Sequence, residues 1–332
     1  MIRATAPGKV VVAGEYAVLA GAPAVAMAVD ARATATIAGG RRNAHTVTAP
    51  GHLDAPRSFR SDGGGVAWTD PVAGGTLPLF ERVWQSFRLG DVAALDITLD
   101  TTAFVHPQTG TKYGLGSSAA LSLALSLALS KLAPADVLVQ ARRAHDEFQG
   151  GQGSGVDIAA SFHGGLIEYR AANSDVRRLA WPRGLHMKLV FSGVASSTRE
   201  RIARLQGAEM NSNSMTRLCD VAESLPAGWR AGDVAGILSG MRQYTEALQA
   251  FSDAHDLGIF DAGHGELVSL AAAGDLLYKP CGAGGGDCGI VLGTEPERIA
   301  AFCRQARKHG YSTLEYGLCV DGAEAKIDRN IG

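Results

Sequence analysis

Apolar and polar positions change period along the chain, and each change predicts an element. Over the first forty positions, short β-like apolar runs at 3–6, 10–13, 24–29 and 33–37 are separated by Pro7-Gly8, Gly21 and Pro23. Such punctuation predicts an antiparallel sheet built of short strands. From 39 to 78 the chain turns Gly- and Pro-rich and loses its period (GGGVAWTDPVAGGTLP), which predicts an excursion or lid outside the core. Leu79, Phe80, Val83, Trp84 and Phe87 then share one helical face, and ALDITLD reads as a strand. Trp68 and Trp84 read as core aromatics.

A second helix follows in AALSLALSLALSKLA, where Ser118, Ser122, Ser126 and Ser130 recur every four residues and form one small-residue stripe. The stretch is shorter than the roughly 20 residues that span a bilayer, so a buried core helix is expected. Pro134 opens another helix running to about Gln149. Beyond it, strands at 165–169, 187–191, 289–292 and 313–319 alternate with helices near 199–209, 234–250, 266–273 and 295–308. The pattern is α+β, with a division expected near Arg183 into units 1–183 and 184–332.

Composition sharpens the functional question at one point. Glycine accounts for 42 of 332 residues, nearly twice the usual share of about 7%. That excess belongs in tight turns or in loops whose backbone approaches a ligand. The formal net charge is −2 and no Lys/Arg run exceeds two residues. Nucleic acid and anionic membrane are thereby disfavoured as main partners, and a small molecule is favoured. Five cysteines without a C-x-x-C pair speak against a disulfide framework or a zinc site and for a reducing compartment. The opening MIRATAPGKV lacks signal architecture, so a cytoplasmic protein is expected. The oligomeric state stays open, a homodimer included.

Three glycine-bearing segments could hold phosphate. In KYGLGSSAALSL, a Gly-x-Gly-Ser-Ser turn enters a helix, whose start offers unpaired N–H groups and partial positive charge. The segment fits neither the Walker A nor the G-x-G-x-x-G pattern, and an ordinary Ser-capped helix accounts for it equally well. In KPCGAGGGDCGIVL, Gly282, Gly284, Gly285 and Gly286 fill four of five positions, more than a two-residue hairpin turn needs. In GGQGSGVDIAASFHGG, Asp157 opens a helix. It could orient an acceptor, take its proton or bind metal, or simply complement the helix dipole.

In order, APGKVVVAGEYAVLAG, GLGSSAA, GSGVDIAASFHGG and GAGGGDCG resemble the motifs of the GHMP kinases, which phosphorylate small metabolites with ATP. The resemblance implies an N-terminal domain with a left-handed βαβ unit and a ferredoxin-like C-terminal domain. It implies ATP and Mg²⁺, with Lys9 and Asp157 as the catalytic pair. Lys112, Gly114, Leu115, Gly116, Ser117, Ser118 and Ala119 would cradle the nucleotide phosphates. Ser118 would help ligate the metal, with Asp146 as second ligand. On the acceptor side it implies Glu15, Tyr16, Ser154, Gly155, Ser196, Ser197, Thr198 and Arg199, with Gly282, Ala283, Gly284, Gly285, Gly286 and Asp287 closing over the substrate. KYGLGSSAA, AHDEFQGGQGSGVDIAA and Asp287 further resemble the branch whose acceptor is (R)-5-phosphomevalonate. Bringing two phosphates together needs extra cations, for which Arg199, Lys112 and Lys279 are the candidates. A free-alcohol acceptor and a non-catalytic metabolite sensor of the same fold are the competing readings.

Overall fold

The computed structural model describes residues 1–40, 44–69, 77–90, 92–151, 153–196, 205 and 212–327. The four short strands expected at the start are two long ones, β1 (Ile2–Ala13) and β2 (Ala24–Gly39), paired antiparallel. Pro7-Gly8 does not end β1, because the register shift between them absorbs the proline's missing donor as a bulge. Gly8 is required by packing: a Cβ there would lie 2.6 Å from the Leu115 carbonyl oxygen and 2.7 Å from the Phe104 ring.

Residues 39–78 also depart from expectation. They contain β3 (His45–Thr48), β4 (Arg57–Asp62) and β5 (Gly65–Trp68), which extend the same sheet. Val47 and Phe59 are fully buried, and His45, Phe59 and Trp84 pack ring on ring. Strands of four to six residues are too short for an alternation to stand out between turns. With β6 (Leu95–Asp100) and β13 (Glu324–Ile327) the order is β13-β1-β2-β6-β3-β4-β5, β3 and β6 being parallel. β7 (Leu166–Arg170) pairs with β2, and β8 (Asp175–Leu179) pairs with β7.

Against this sheet lie α1 (Pro78–Phe87), α2 (Ser117–Leu129) and α4 (Val156–His163), and α3 (Val137–Gln149) packs on these three helices. Helix α3 starts three residues after Pro134 because Asp136 is its cap, accepting the Val139 N–H at 3.1 Å. The serine stripe of α2 lets the helix approach closely, and Ser122 and Ser126 are fully buried.

The second sheet holds β9 (His186–Phe191), β10 (Leu277–Pro280), β11 (Cys288–Gly293) and β12 (Ser312–Leu314) in the order β10-β11-β9-β12, antiparallel throughout. Helices α5 (Asn213–Ala231), α6 (Val234–Ala254) and α7 (His264–Ala273) connect β9 to β10, and α8 (Pro296–Lys308) connects β11 to β12. This is the ferredoxin-like strand order, with two extra helices among the described residues of the first crossover. Helix α5 has no counterpart in the expected pattern, since Pro226 lies within it; the helix expected near 199–209 falls almost wholly outside the described residues. β12 is shorter than the expected 313–319. The chain beyond it returns to the first sheet, where Leu318 bridges Val29 and β13 (Glu324–Ile327) pairs with β1. No helix among the described residues is long and apolar enough to cross a membrane.

Candidate active site

Lys9 follows the register shift between β1 and β2, and its N–H donates to the Leu115 carbonyl at 2.8 Å. That bond ties the strand to the Gly-x-Gly-Ser-Ser turn. The side chain runs across Gly116, where a Cβ would meet Lys9 Cε at 2.8 Å and where φ is +77°. It ends 3.2 Å from Asp157 Oδ1, in the first turn of α4. Burial works to lower the Lys9 pKa. Asp157 outweighs it, with Cys288 and Asp287 adding, so the pKa stands above the ordinary 10.5 and the ammonium is retained.

His145, on α3, is the residue that sequence reasoning passed over. It is 2% exposed, and its Nε2 lies 3.0 Å from Ser118 Oγ. Burial lowers its pKa, Asp157 pulls it up and Lys9 pushes it down, and the net direction is below 6.5. The only available signal was its place in AHDEFQGGQGSGVD, the run that also carries Asp157; a lone histidine is more often a core residue. Asp146, the residue singled out instead, lies with Oδ2 3.9 Å from the Arg142 guanidinium. Ser118 meets His145 and not Asp146.

Lys9, Glu15, Tyr16, His145 and Asp157 line a cleft of about 680 Å³ that is open to solvent. Ser154, Gly155, Gly282 and Ala283 complete its rim, together with Gln149 and Gly153, which had no assigned role. Ser154 is held by the Tyr169 hydroxyl, which donates to its carbonyl at 2.7 Å. Gly155 caps α4 at φ +80°, and a Cβ there would meet the Tyr169 oxygen at 2.9 Å.

The loop of four glycines divides unexpectedly. Gly282, at φ +69°, has open space where a Cβ would stand, whereas one on Gly284 would lie 2.4 Å from Ile259 and one on Gly286 would lie 2.9 Å from the Val194 carbonyl oxygen. Gly284 and Gly286 therefore serve packing. Asp287 accepts the Ser196 N–H at 2.9 Å, and Ser196 Oγ donates to the Gly284 carbonyl at 2.7 Å. The Asp287 side chain also lies against Gly114, where a Cβ would stand 2.3 Å from Asp287 Cβ. It thus joins the two phosphate-type loops.

Glu15 and Lys279 form an ion pair at 2.5 Å with side-chain exposures of 2% and 0%. Burial raises the Glu15 pKa, and Lys279 opposes that rise. Lys279 also donates to the Pro280 carbonyl at 2.7 Å, so it is not a cation free to meet an acceptor. Lys112 is exposed, away from the cleft lining and near His52. Ser197, Thr198 and Arg199 lie outside the described residues.

Among the described residues no group of three or more His, Cys, Asp or Glu side chains could cage a metal. Mg²⁺ carried on nucleotide phosphates keeps its waters and takes only one or two protein oxygens. The Ser118 hydroxyl at the start of α2 is an oxygen of the required kind.

The sequence profile of the GHMP kinases N terminal domain matches residues 79–165. A phosphomevalonate kinase of Streptomyces sp. (strain CL190) is 29% identical over 347 aligned positions, covering 90% of this chain and 92% of that protein. A mevalonate kinase of Methanothermobacter thermautotrophicus is 30% identical over 233 positions, covering 67% of each. Among solved structures, Streptococcus pneumoniae phosphomevalonate kinase in complex with phosphomevalonate and AMPPNP superposes with a TM-score of 0.78 at 19% identity, covering 96% of this chain and all of that one. With its fold, its ordered motifs and its relatives in agreement, the chain belongs to the GHMP kinase family.

Proposed function

We propose that this protein transfers the γ-phosphoryl group of ATP to the phosphate of (R)-5-phosphomevalonate, giving 5-diphosphomevalonate. The observation that carries the reading is the Lys9 ammonium held on Asp157 at the floor of a cleft between the glycine loops. Phosphoryl transfer through a loose transition state asks the protein mainly to position groups and neutralise charge. Lys9 supplies positive charge where negative charge builds up between donor and acceptor oxygens, and Asp157 holds it there. A phosphomonoester acceptor has a second pKa near 6 and is already mostly dianionic at pH 7, so no base need remove a proton. Asp157 acts as orienter of Lys9 and acceptor.

In the same reading, Gly114 to Ala119 wrap the nucleotide phosphates, and the start of α2 directs its N–H groups and dipole at them. Mg²⁺, when bound, would supply further positive charge to the nucleotide phosphates, and Ser118 would be the protein oxygen that holds it. Gly282, Ala283, Ser154, Gly155 and Tyr16 frame the acceptor, with Glu15 beneath them. The division near residue 183 separates a nucleotide-side unit from an acceptor-closing unit, the last strand crossing back.

Similarity to the Streptomyces phosphomevalonate kinase along nine-tenths of the chain supports the phosphorylated acceptor. The mevalonate kinase relatives support a free-alcohol acceptor as the second reading. Steady-state kinetics at saturating MgATP on mevalonate, 5-phosphomevalonate, diphosphomevalonate, homoserine and galactose separate them. A site built to hold a dianion rejects the analogue lacking it by several orders of magnitude, so kcat/KM for 5-phosphomevalonate is expected to exceed that for mevalonate by at least about 1,000-fold. Comparable values for the two would remove the phosphomevalonate assignment and leave the family standing.

A further inference from the structure

We propose that His145 is a positioning residue: its Nε2 accepts the Ser118 hydroxyl proton and so turns the Ser118 oxygen lone pairs toward the cation carried by the nucleotide. The inference rests on the kinase reading above. It starts from the 3.0 Å separation of His145 Nε2 and Ser118 Oγ, with the imidazole 2% exposed. A hydroxyl has one donor and two acceptor lone pairs. With its proton committed to His145, both lone pairs of Ser118 remain for a metal ion. With the roles reversed, one lone pair would be lost and the O–H would point at the phosphates.

The rest of α3 holds the ring in place. Asp136 caps the helix, and Glu147, two positions on, is tied to Arg82 and Arg143. Asp146, between them, turns to Arg142. Outer partners that orient a metal ligand commonly change metal affinity by about 10–100-fold when removed.

The test separates metal-linked from metal-free binding. ADP affinity is measured by calorimetry with Mg²⁺ and with EDTA, for the wild type, Ser118→Ala, His145→Leu, the double variant and His145→Gln. The metal-linked gain in affinity is expected to fall roughly tenfold in each single variant and no further in the double one, because both remove the same interaction. His145→Gln keeps most of the gain, since its amide oxygen reaches the place of Nε2, whereas the shorter His145→Asn loses it. That contrast still decides the matter if His145→Leu fails to fold. ADP affinity in EDTA stays level in the His145 variants, whose side chain touches Ser118 and not the nucleotide. An undiminished Mg²⁺ gain in His145→Leu beside a reduced one in Ser118→Ala would overturn the positioning role alone. Equal loss with and without metal would make His145 merely structural. A full gain in Ser118→Ala would remove the hydroxyl as ligand and the inference with it, and a wild type that binds no MgADP would overturn the kinase reading itself.

Discussion

Lys9 reaches Asp157 because Gly116 has no side chain to block its path. Lys9→Met should therefore cut kcat by at least about 100-fold while leaving nucleotide affinity nearly unchanged, since the lost charge acts on the transition state. Near-normal turnover of the folded variant would take Lys9 out of the chemistry. The raised Lys9 pKa also fixes a sign. The stability that this residue contributes is fully present below its ordinary 10.5 and is lost only as pH rises through the higher folded value. The activity profile should thus show no alkaline fall from Lys9 below 10.5, and an inflection near pH 8–9 that disappears in Lys9→Arg would contradict this. Asp146 makes the opposite case. Its Oδ2 lies 3.9 Å from the Arg142 guanidinium, while its Oδ1 is buried without a hydrogen-bond partner among the described residues; with Arg142 as its functional partner, Asp146→Asn should leave MgADP affinity within about twofold. A large loss by calorimetry would make Asp146 the second metal ligand. Lys9 and Asp157 were legible in the sequence because each sits inside an ordered motif. His145 was not, because nothing in a sequence distinguishes a histidine that meets a serine across two helices from one that fills a core.

At the scale of elements, glycine content announced loops but not what each glycine faces. Two substitutions in the loop between β10 and β11 separate the cases. Gly284→Val places a branched side chain at φ +71° against Ile259. Left-handed strain of about 1–3 kcal/mol and overpacking of about 1–3 kcal/mol should together lower stability in urea by several kcal/mol. Gly282→Ala meets open space at φ +69° and should cost only about 1–2 kcal/mol, yet it projects into the cleft and should depress kcat/KM beyond that stability loss. Equal stability losses in the two variants would refute the division. Strand length was misread for a related reason. Pro7-Gly8 is a turn signal in a sequence, but here the proline sits at a bulge and the glycine makes room for Leu115 and Phe104. Helices α1, α6 and α8 were legible because their apolar stripes are long and uninterrupted.

At the scale of the whole molecule, the cleft is assembled from both sheets, and one buried ion pair joins them. Glu15 follows β1 in the first sheet, while Lys279 lies on β10 in the second, immediately before the loop that Tyr16 grips through the Ala283 carbonyl. Tyr244 of α6 donates to the Glu15 carbonyl and fixes the same corner. Removing one charge of such a pair strands the other in the interior, at a cost of about 3–5 kcal/mol. Lys279→Met should destabilise the fold by that order in urea unfolding, and the double variant Lys279→Met/Glu15→Leu should recover most of it. Turnover should not recover in the double variant, because the carboxylate that ties the first sheet to the base of the loop is gone. The single variant also carries a pH signature. Burial already raises the Glu15 pKa, and without Lys279 to oppose it the rise is larger. A carboxyl whose folded pKa is raised binds protons more tightly in the fold than in the unfolded chain, so its stability deficit shrinks as pH falls through the folded value. The gap between Lys279→Met and the wild type should therefore narrow from pH 8 toward pH 5. A deficit under 1 kcal/mol, a gap that widens on acidification, or a double variant with full turnover would each show that the pair is not what holds the glycine loop over the cleft.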